Sequence, residues 1–165
     1  IFTISSCTHI HCILAMDHNG KDESAKPKAI HEEEEESFKR GKQLAKIVAL
    51  CKKGYQGRAL SSIEKYNLSV NELSPFGETA LCGATFAGHI DLVEALVLEK
   101  QADVNFPEED DTTALMFACQ KGWIHIVHFL LDHGADARRA RYDGTTALML
   151  AVENGYAEVA ERLTR

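Results

Sequence analysis

The sequence predicts an all-α solenoid, a stack of short antiparallel helix pairs. Glycines recur in it with successive spacings of 34, 34 and 33 residues, at Gly54, Gly88, Gly122 and Gly155. The same Thr-Ala-Leu motif lies in front of the last three glycines, and apolar residues at helical spacing lie behind them. A period of this length is typical of stacked supersecondary units, so it predicts the architecture before any single helix is considered.

The first helix of each unit begins after a threonine, at Thr79, Thr113 and Thr146. A hydroxyl at this position can accept hydrogen bonds from the backbone N–H groups that the first turn of a helix leaves unpaired. In each unit a leucine and an alanine then follow three residues apart, which places both on one helical face. The periodic glycine is predicted to end this helix, because glycine adopts the left-handed turn without a steric cost.

The second helix of each unit is predicted from apolar pairs that recur four residues apart. These pairs are Leu92-Val93 with Leu96-Val97 in the second unit, and Ile126-Val127 with Leu130-Leu131 in the third. Gly134 is predicted to close the second helix of the third unit. The second unit carries one extra residue and has Gln101 where a glycine is expected, so we expect its second helix to end irregularly.

These units resemble ankyrin repeats, with a Thr-Ala-Leu-Met variant of the family's Thr-Pro-Leu-His motif and Gly-Ala-Asp near the carboxyl end of the unit. The resemblance implies an all-α ankyrin-repeat solenoid of about four repeats, roughly residues 43–74, 75–107, 108–140 and 141–165. The first repeat is the most degenerate of the four, as expected of an end cap whose outer face meets water.

Two regions are expected along the chain, a tail at residues 1–40 and the repeat domain at residues 41–165. Residues 18–37 of the tail have almost no large apolar residue and contain the run Glu32–Glu36, so they cannot bury enough surface to offset their ordering entropy. We expect the tail to be disordered, although the glutamates can extend the first helix. Residues 1–15 are interpreted either as sequence translated upstream of a start at Met16 or as a truncated leader.

Composition excludes several classes of function. The chain has 18 basic and 25 acidic side chains, a net charge of −7, which disfavours binding to nucleic acid or to an anionic membrane surface. Its five cysteines include no Cys-x-x-Cys pair, and this pattern favours a reducing compartment. We therefore expect a cytoplasmic protein, with the nucleus as the alternative location.

We expect no catalytic, cofactor or metal site. His125, His128 and His133 lie close in sequence, but no carboxylate or cysteine stands at a complementary spacing. Cys119 occupies the repeat position held elsewhere by Thr85, so we interpret it as a packing residue and not as a nucleophile. The sequence also lacks phosphate-binding glycine loops and a Gly-x-Ser-x-Gly elbow.

Partner-binding residues are implied by the resemblance, because ankyrin repeats bind partners along their turn tips and the concave face of their first helices. Transferred to this sequence, that surface contains Lys53, Phe76, Glu78, Phe86, Glu109, Asp110, Thr112, Gln120, Lys121, Arg141, Tyr142, Asp143, Thr145, Glu153 and Asn154. Phe76, Phe86 and Tyr142 are the most informative members, since the fold does not require apolar residues at these positions and exposed aromatic residues anchor interfaces.

Two further patterns each leave two interpretations open. The acidic run 108–111 and the basic residues of 138–141 lie in adjacent turns of opposite charge, which indicates either solvated turns in loose attraction or a charged recognition edge.

Large side chains follow each periodic glycine, at Tyr55, His89, Trp123 and Tyr156. They can form a ligand-binding ladder, but packing between repeats is the favoured interpretation.

The sequence therefore predicts a non-enzymatic protein–protein interaction module, a scaffold or adaptor that binds another protein and is itself a monomer. The alternative is that the array recruits substrates for a larger enzyme, such as a kinase or a ubiquitin ligase, whose catalytic domain lies outside these residues. The chain stops at Arg165 within the second helix of the fourth repeat, which suits either a terminal cap or a longer array.

Overall fold

The computed structural model describes residues 28–164, with side chains described from residue 33 onward. Within these residues the chain is helical, with one isolated bridge between Ala140 and Thr146. The helices are α1 Lys28–Lys52, α2 Gln56–Lys65, α3 Ala80–Phe86, α4 Ile90–Leu98, α5 Ala114–Lys121, α6 Ile124–Asp132, α7 Ala147–Glu153 and α8 Ala157–Leu163. The predicted all-α solenoid of helix pairs is confirmed.

The helix pairs are arranged in two layers. The first helices of repeats two to four, α3, α5 and α7, pack against one another in sequence order, and α2, α4, α6 and α8 pack in a second layer. The core between the layers contains the leucines of both helix types, and Leu92, Leu115 and Leu130 are each no more than 1% exposed. Because each repeat buries its apolar face against its neighbours, stability depends on the stack.

The predicted threonine caps are confirmed at the start of all three first helices. The side-chain oxygen of Thr79 accepts a hydrogen bond from the backbone N–H of Cys82 at 3.0 Å. The side chains of Thr113 and Thr146 accept equivalent bonds at 3.4 and 3.3 Å. These caps fix where α3, α5 and α7 begin, and therefore the phase of the turns that precede them.

The periodic glycines have the predicted left-handed conformation and also make room for the next repeat. Gly88 and Gly122 have φ of 79° and 72°. A Cβ atom added at Gly88 would lie 2.7 Å from the Trp123 ring, and one added at Gly122 would lie 2.5 Å from the Tyr156 ring. Trp123 and Tyr156 therefore pack against the glycine of the preceding repeat, as favoured from the sequence, while 40% of Trp123 and 38% of Tyr156 stay exposed. Nothing lies within 4 Å of the corresponding position at Gly155.

The second helices α2, α4 and α6 are each followed by a left-handed residue even where glycine is absent. Asn67, Gln101 and Gly134 have φ of 47°, 56° and 87°, so Gln101 adopts the left-handed conformation that glycine provides in the third repeat. The end of α4 is irregular, as predicted, because the Ala102 N–H donates to the Leu96 carbonyl oxygen six residues back. At the end of α6 the Ala135 N–H donates to the Leu130 carbonyl oxygen five residues back.

Beyond these left-handed residues an asparagine joins adjacent repeats, because the Oδ1 atom of Asn105 accepts a bond from the Asp136 N–H at 2.8 Å. Asn71 accepts the equivalent bond from the Asp103 N–H at 2.9 Å, so the loops that follow α2 and α4 are each held to the loop of the next repeat.

Helix α1 runs across the boundary that the sequence predicts between residues 40 and 41. It begins at Lys28 and includes the described glutamates 33–36, which are exposed. Its carboxyl-terminal part buries Leu44, Ile47 and Cys51 against the repeats. All four repeats lie in the compact unit Glu36–Arg165. Residues 1–27 lie outside the described part, so the predicted tail and the domain bounds stay predictions.

Candidate protein-interaction surface

Three closed turns precede the first helices of repeats two to four. In each turn the N–H of the first residue donates to the carbonyl oxygen of the fifth. These bonds are Ser74 N to Glu78 O at 2.8 Å, Glu108 N to Thr112 O at 2.8 Å and Arg141 N to Thr145 O at 3.0 Å. The fourth residue is left-handed in every turn, with φ of 72° at Gly77, 62° at Asp111 and 84° at Gly144. The turn tips therefore share one geometry.

Acidic side chains hold two of these turns together. The Oδ1 atom of Asp110 accepts a hydrogen bond from the Thr112 N–H at 3.0 Å, and Asp143 accepts the equivalent bond from Thr145 at 2.8 Å. The bond from Thr145 also lowers the pKa of the Asp143 carboxyl, because it favours the charged form. Asp110 and Asp143 are exposed, so each both closes its turn and presents charge to solvent.

The turns of repeats two and three are bonded to each other. The Glu109 N–H donates to the carbonyl oxygen of Gly77 at 3.1 Å. The Oε1 atom of Glu108 accepts a hydrogen bond from the Thr79 N–H at 3.2 Å. Both bonds cross from one repeat to the next, so the acidic residues of the third turn are fixed beside the second turn.

A shallow depression lies among the three turn tips, and we call it the acidic pocket. It is lined by Phe76, Gly77, Glu78, Glu108, Glu109, Asp110 and Tyr142. The two aromatic side chains are the most exposed large apolar residues of the described chain, Phe76 at 75% and Tyr142 at 80%. The structure thus brings together five predicted partner-binding residues from three repeats: Phe76, Glu78, Glu109, Asp110 and Tyr142.

Gly77 and Glu108 line the acidic pocket but were absent from the predicted partner-binding set, and of the two only Glu108 carries a side-chain charge. Glu108 is partly buried, and burial, followed by the charges of Glu78 and Asp110, raises its pKa to about 7. The bond from Thr79 and the charge of Lys52 act in the opposite direction. The acidic run 108–111 was visible in the sequence, but the contact with the preceding repeat that buries Glu108 was not.

Lys52 and Glu78 form an ion pair at the edge of this pocket. The Lys52 Nζ atom lies 2.6 Å from the Glu78 Oε1 atom. Lys52 ends α1 in the first repeat, so the contact links repeats one and two. Both side chains are substantially exposed to solvent, and an exposed pair of this kind contributes little to stability.

A second group of predicted residues meets at the carboxyl ends of α3 and α5. The Nζ atom of Lys121 lies 4.3 Å from the centre of the Phe86 ring, a cation–π geometry. Phe86 also meets Phe117 edge to face, with ring centres 5.6 Å apart. Phe117 was not among the predicted site residues. The equivalent position in the second repeat holds Gly83. A phenylalanine where another repeat has glycine was the signal in the sequence that could have identified Phe117.

The prediction that Thr112 binds a partner is wrong, because its side chain is buried. It is 0% exposed, like the capping residue Thr113 that follows it at 2%. The closed turn and the helix start leave both side chains inside the protein, so Thr112 cannot contact a partner.

The remaining predicted residues do not line the acidic pocket. Lys53, Asp143, Glu153 and Asn154 are exposed, whereas Gln120, Arg141 and Thr145 are partly buried. The Asn154 Nδ2 donates to the carbonyl oxygen of Leu150 at 2.8 Å, so its amide already serves the end of α7. Between the acidic run and the arginines of the next turn, all within the described residues, no ion pair forms. Electrostatic attraction between these turns is therefore long-range only.

Histidines and cysteines have ordinary structural surroundings in the described chain. The Nδ1 atom of His133 lies 2.7 Å from the Phe129 carbonyl oxygen, and His125 and His128 are exposed on α6. Residues 33–164 contain no group of three potential ligands that could hold a metal ion. Cys119 is 0% exposed, and burial raises its pKa to about 12, as suits a packing residue.

Comparison with known proteins agrees with this architecture. The family pattern described as ankyrin repeats in three copies matches residues 81–165. The chain therefore belongs to the ankyrin-repeat family, whose members are typically non-catalytic protein-interaction modules. No helix in the described part of the chain is long and apolar enough to cross a membrane.

One curated relative is the human BCL-6 corepressor-like protein 1. It is 40% identical to this chain over 58 residues, which are 35% of this chain and 3% of that protein. The chain thus matches a small part of the relative's length, and the similarity concerns a short stretch of sequence only.

Proposed function

We propose that the chain is a scaffold or adaptor that binds another protein through the turn tips and the concave side of its first helices. The exposure of Phe76 and Tyr142 at 75% and 80% is the observation that carries this proposal. Soluble proteins rarely leave large aromatic side chains exposed together without an interaction role, and aromatic residues supply much of the binding energy of interfaces.

The rigidity of the turns supports the same proposal. Every tip is closed by a backbone hydrogen bond, and the bond from Glu109 to Gly77 joins two neighbouring tips. A surface that is ordered before binding loses less conformational entropy when a partner docks. Phe86 and Lys121 extend this surface along the ends of the first helices.

The proposed setting is the cytoplasm or the nucleus, with the chain acting as a monomer. Cys51, Cys82 and Cys119 are free thiols in the core, and a reducing compartment keeps such thiols unpaired. The similarity to a corepressor-like protein is compatible with either location. Light scattering during size-exclusion chromatography tests the oligomeric state directly.

Quantitative affinity capture from cells of the source organism tests the binding surface. The wild-type chain is compared with the double variant Phe76→Ala/Tyr142→Ala, and Leu98→Ala serves as the control because Leu98 is 60% exposed on α4, a helix of the second layer. We expect the double variant to lose captured protein by about tenfold or more, the scale of an aromatic hot spot. Both variants should unfold at nearly the wild-type temperature.

Equal loss of capture in the control and the double variant would reject the turn tips as the binding surface. A large fall in the unfolding temperature of the double variant would show that these rings belong to the core.

A further inference from the structure

Phe76 and Tyr142 differ from the exposed rings of Phe38 and Phe86 in their charge environment. Elsewhere a lysine already lies over an exposed ring, with Lys121 4.3 Å from the Phe86 ring centre and Lys42 4.2 Å from the Phe38 ring centre. No side-chain cation of residues 33–164 lies over Phe76 or Tyr142. Both rings instead flank carboxylates in the acidic pocket.

The acidic pocket contains more carboxylates than there are cations paired with them. Glu78, Glu108, Glu109 and Asp110 line the pocket. Among the described residues, Lys52 is the one cation within ion-pair distance of any of the four, and it reaches Glu78. Glu109 and Asp110 are exposed, so their charges face an incoming partner.

Rings and carboxylates attract the same class of ligand. The face of an aromatic ring carries partial negative charge and attracts a cation placed over it, and a carboxylate attracts the same cation directly. The described residues contain no group of three ligands arranged to hold a metal ion, so the geometry favours an organic cation. Flanking rings also provide the apolar walls that the methylene stem of a long basic side chain packs against.

We propose that the acidic pocket receives a lysine or arginine side chain from a basic, extended segment of the partner protein. This inference rests on the proposed function and specifies the chemistry of the partner. A segment crossing the three turn tips would place its basic residue between Phe76 and Tyr142, with Glu109 and Asp110 beside it. Charge complementarity of this kind selects partners and speeds their association.

Glu108 links binding to pH. It faces Glu78, Asp110 and Lys52, and it also influences the buried thiol of Cys82. A pKa of about 7 means that the carboxyl gains its charge between mildly acidic and mildly basic pH. Since a bound cation favours the charged carboxylate, affinity for a basic segment should rise as the pH is raised through this range. Glu108→Gln should flatten that dependence.

Peptide titration of the full chain tests the proposal. The probes are three nonapeptides in which glycine alternates with lysine, with arginine or with glutamate, and they are added to the isotope-labelled chain at low salt. We expect the lysine and arginine peptides to shift the backbone amide resonances of Gly77, Glu109 and Asp110, and the glutamate peptide to leave them unchanged. Comparing the two basic peptides decides which side chain the pocket prefers.

Variants of equal charge separate the acidic pocket from general electrostatic attraction. Glu109→Gln/Asp110→Asn should weaken the basic peptide by about tenfold, because it removes two carboxylates beside the rings. Glu94→Gln/Glu99→Gln removes two exposed carboxylates at α4 and should change affinity by less than about twofold. Equal losses in the two variants, or resonance shifts confined to residues 33–36, would overturn the proposal.

The outcomes also distinguish this inference from the proposed function. If Phe76→Ala/Tyr142→Ala abolishes protein capture while no basic peptide reaches the pocket, the interaction surface stands and the basic partner is rejected. If the captured protein is unaffected by Phe76→Ala/Tyr142→Ala, the proposed surface itself is rejected, and the basic partner with it.

Discussion

The Oε1 atom of Glu108 lies 3.2 Å from the backbone nitrogen of Thr79, whose N–H donates to it. Thr79 caps helix α3, so one carboxylate of the third repeat is held against the helix start of the second. The same contact draws Glu108 partly out of water beside Glu78 and Asp110. A side chain that reads as a solvated turn residue in the sequence thus occupies an inter-repeat junction.

Glu108→Gln should stabilise the protein at mildly basic pH. The folded-state pKa of Glu108 is raised to about 7 from an ordinary value of 4.5, so the folded protein holds this proton more tightly than the unfolded chain. The stabilisation from protonation is complete below the unfolded pKa and is lost as the pH rises through the folded pKa. The glutamine can still accept the Thr79 bond without carrying charge.

Urea unfolding from about pH 5 to about pH 8 measures this effect. We expect the variant to gain ~1 kcal/mol over wild type at the upper end, a value reduced for the partial solvation of the carboxyl. Glu153→Gln, an exposed carboxyl on α7, is the control and should not alter the pH dependence. A destabilised Glu108→Gln at the basic end would mean that the carboxylate is held there by favourable contacts.

Local features of the fold follow from the sequence, and contacts between repeats do not. Thr79 and Gly88 act within one helix, through a cap and a left-handed turn, so their types and spacing are sufficient to predict them. The burial of Thr112 and the contact between Glu108 and Thr79 depend instead on how one repeat lies against the next. Repeat phase places such residues at the correct turn but does not give the distance to the neighbouring repeat.

The sequence predicted most residues of the acidic pocket but not that they lie together, because their proximity depends on contacts between repeats. Phe76 and Tyr142 could be selected because the repeat pattern requires no apolar residue at their positions, while Glu78, Glu109 and Asp110 came from the family's binding surface. Their convergence on one depression needed the three-dimensional spacing of the tips. The sequence allowed the glutamates to extend the first helix but did not predict its start at Lys28. The polarity of residues 28–40 predicts poor packing, whereas a continuous helix forms its hydrogen bonds locally and can extend beyond the packed part.

Substitutions of three glycines by alanine should separate backbone strain from steric overlap. Gly122 has φ of 72° and lies against Tyr156, Gly155 has φ of 76° with open space, and Gly57 in α2 has neither constraint. Gly155→Ala should cost ~1 kcal/mol for the left-handed conformation alone. Gly122→Ala should cost ~3 kcal/mol, because the Tyr156 ring must also move. Gly57→Ala should stabilise by ~0.5 kcal/mol through helix propensity.

Thermal and urea unfolding of the three glycine variants test this order. Gly122→Val should be worse than Gly122→Ala, since a β-branched residue is still less tolerant of positive φ. Equal losses in the free energy of unfolding for the alanine variants at Gly122 and Gly155 would show that the Tyr156 ring moves aside without cost. Only the left-handed backbone conformation would then matter.

Exchanging a hydroxyl and a methyl group should change the free energy of unfolding at Thr85 and leave it nearly unchanged at Val152. The two residues occupy equivalent repeat positions, yet Thr85 is 0% exposed and Val152 is 62% exposed. The Thr85 Oγ1 atom is buried without a hydrogen-bond partner in the described chain, so Thr85→Val should stabilise by ~1 kcal/mol. Val152→Thr should change stability by less than ~0.5 kcal/mol.

Chemical denaturation of both variants and of the wild type measures these changes in the free energy of unfolding. A loss of stability in Thr85→Val would indicate that the hydroxyl makes a bond through solvent, and a large loss in Val152→Thr would indicate that this end of the array is covered in solution.

The core thiols should resist alkylation in the folded protein. Cys51, Cys82 and Cys119 are each no more than 1% exposed, and burial raises the pKa of Cys51 and Cys119 to about 12. Since the thiolate is the reactive form, iodoacetamide can react only after the surrounding repeats open. Cys51 lies in the first repeat and Cys119 in the third, and the outer repeat has fewer neighbours to hold it closed.

We therefore expect Cys51 to be modified before Cys119 in native buffer, and all three thiols to be modified at similar rates in urea. Mass spectrometry of peptides collected over the reaction measures each site separately. Rapid native modification of Cys119 would show that the third repeat opens independently of its neighbours. It would also undermine the rigid turn that fixes Glu109 beside Gly77, because that turn and Cys119 belong to the same repeat.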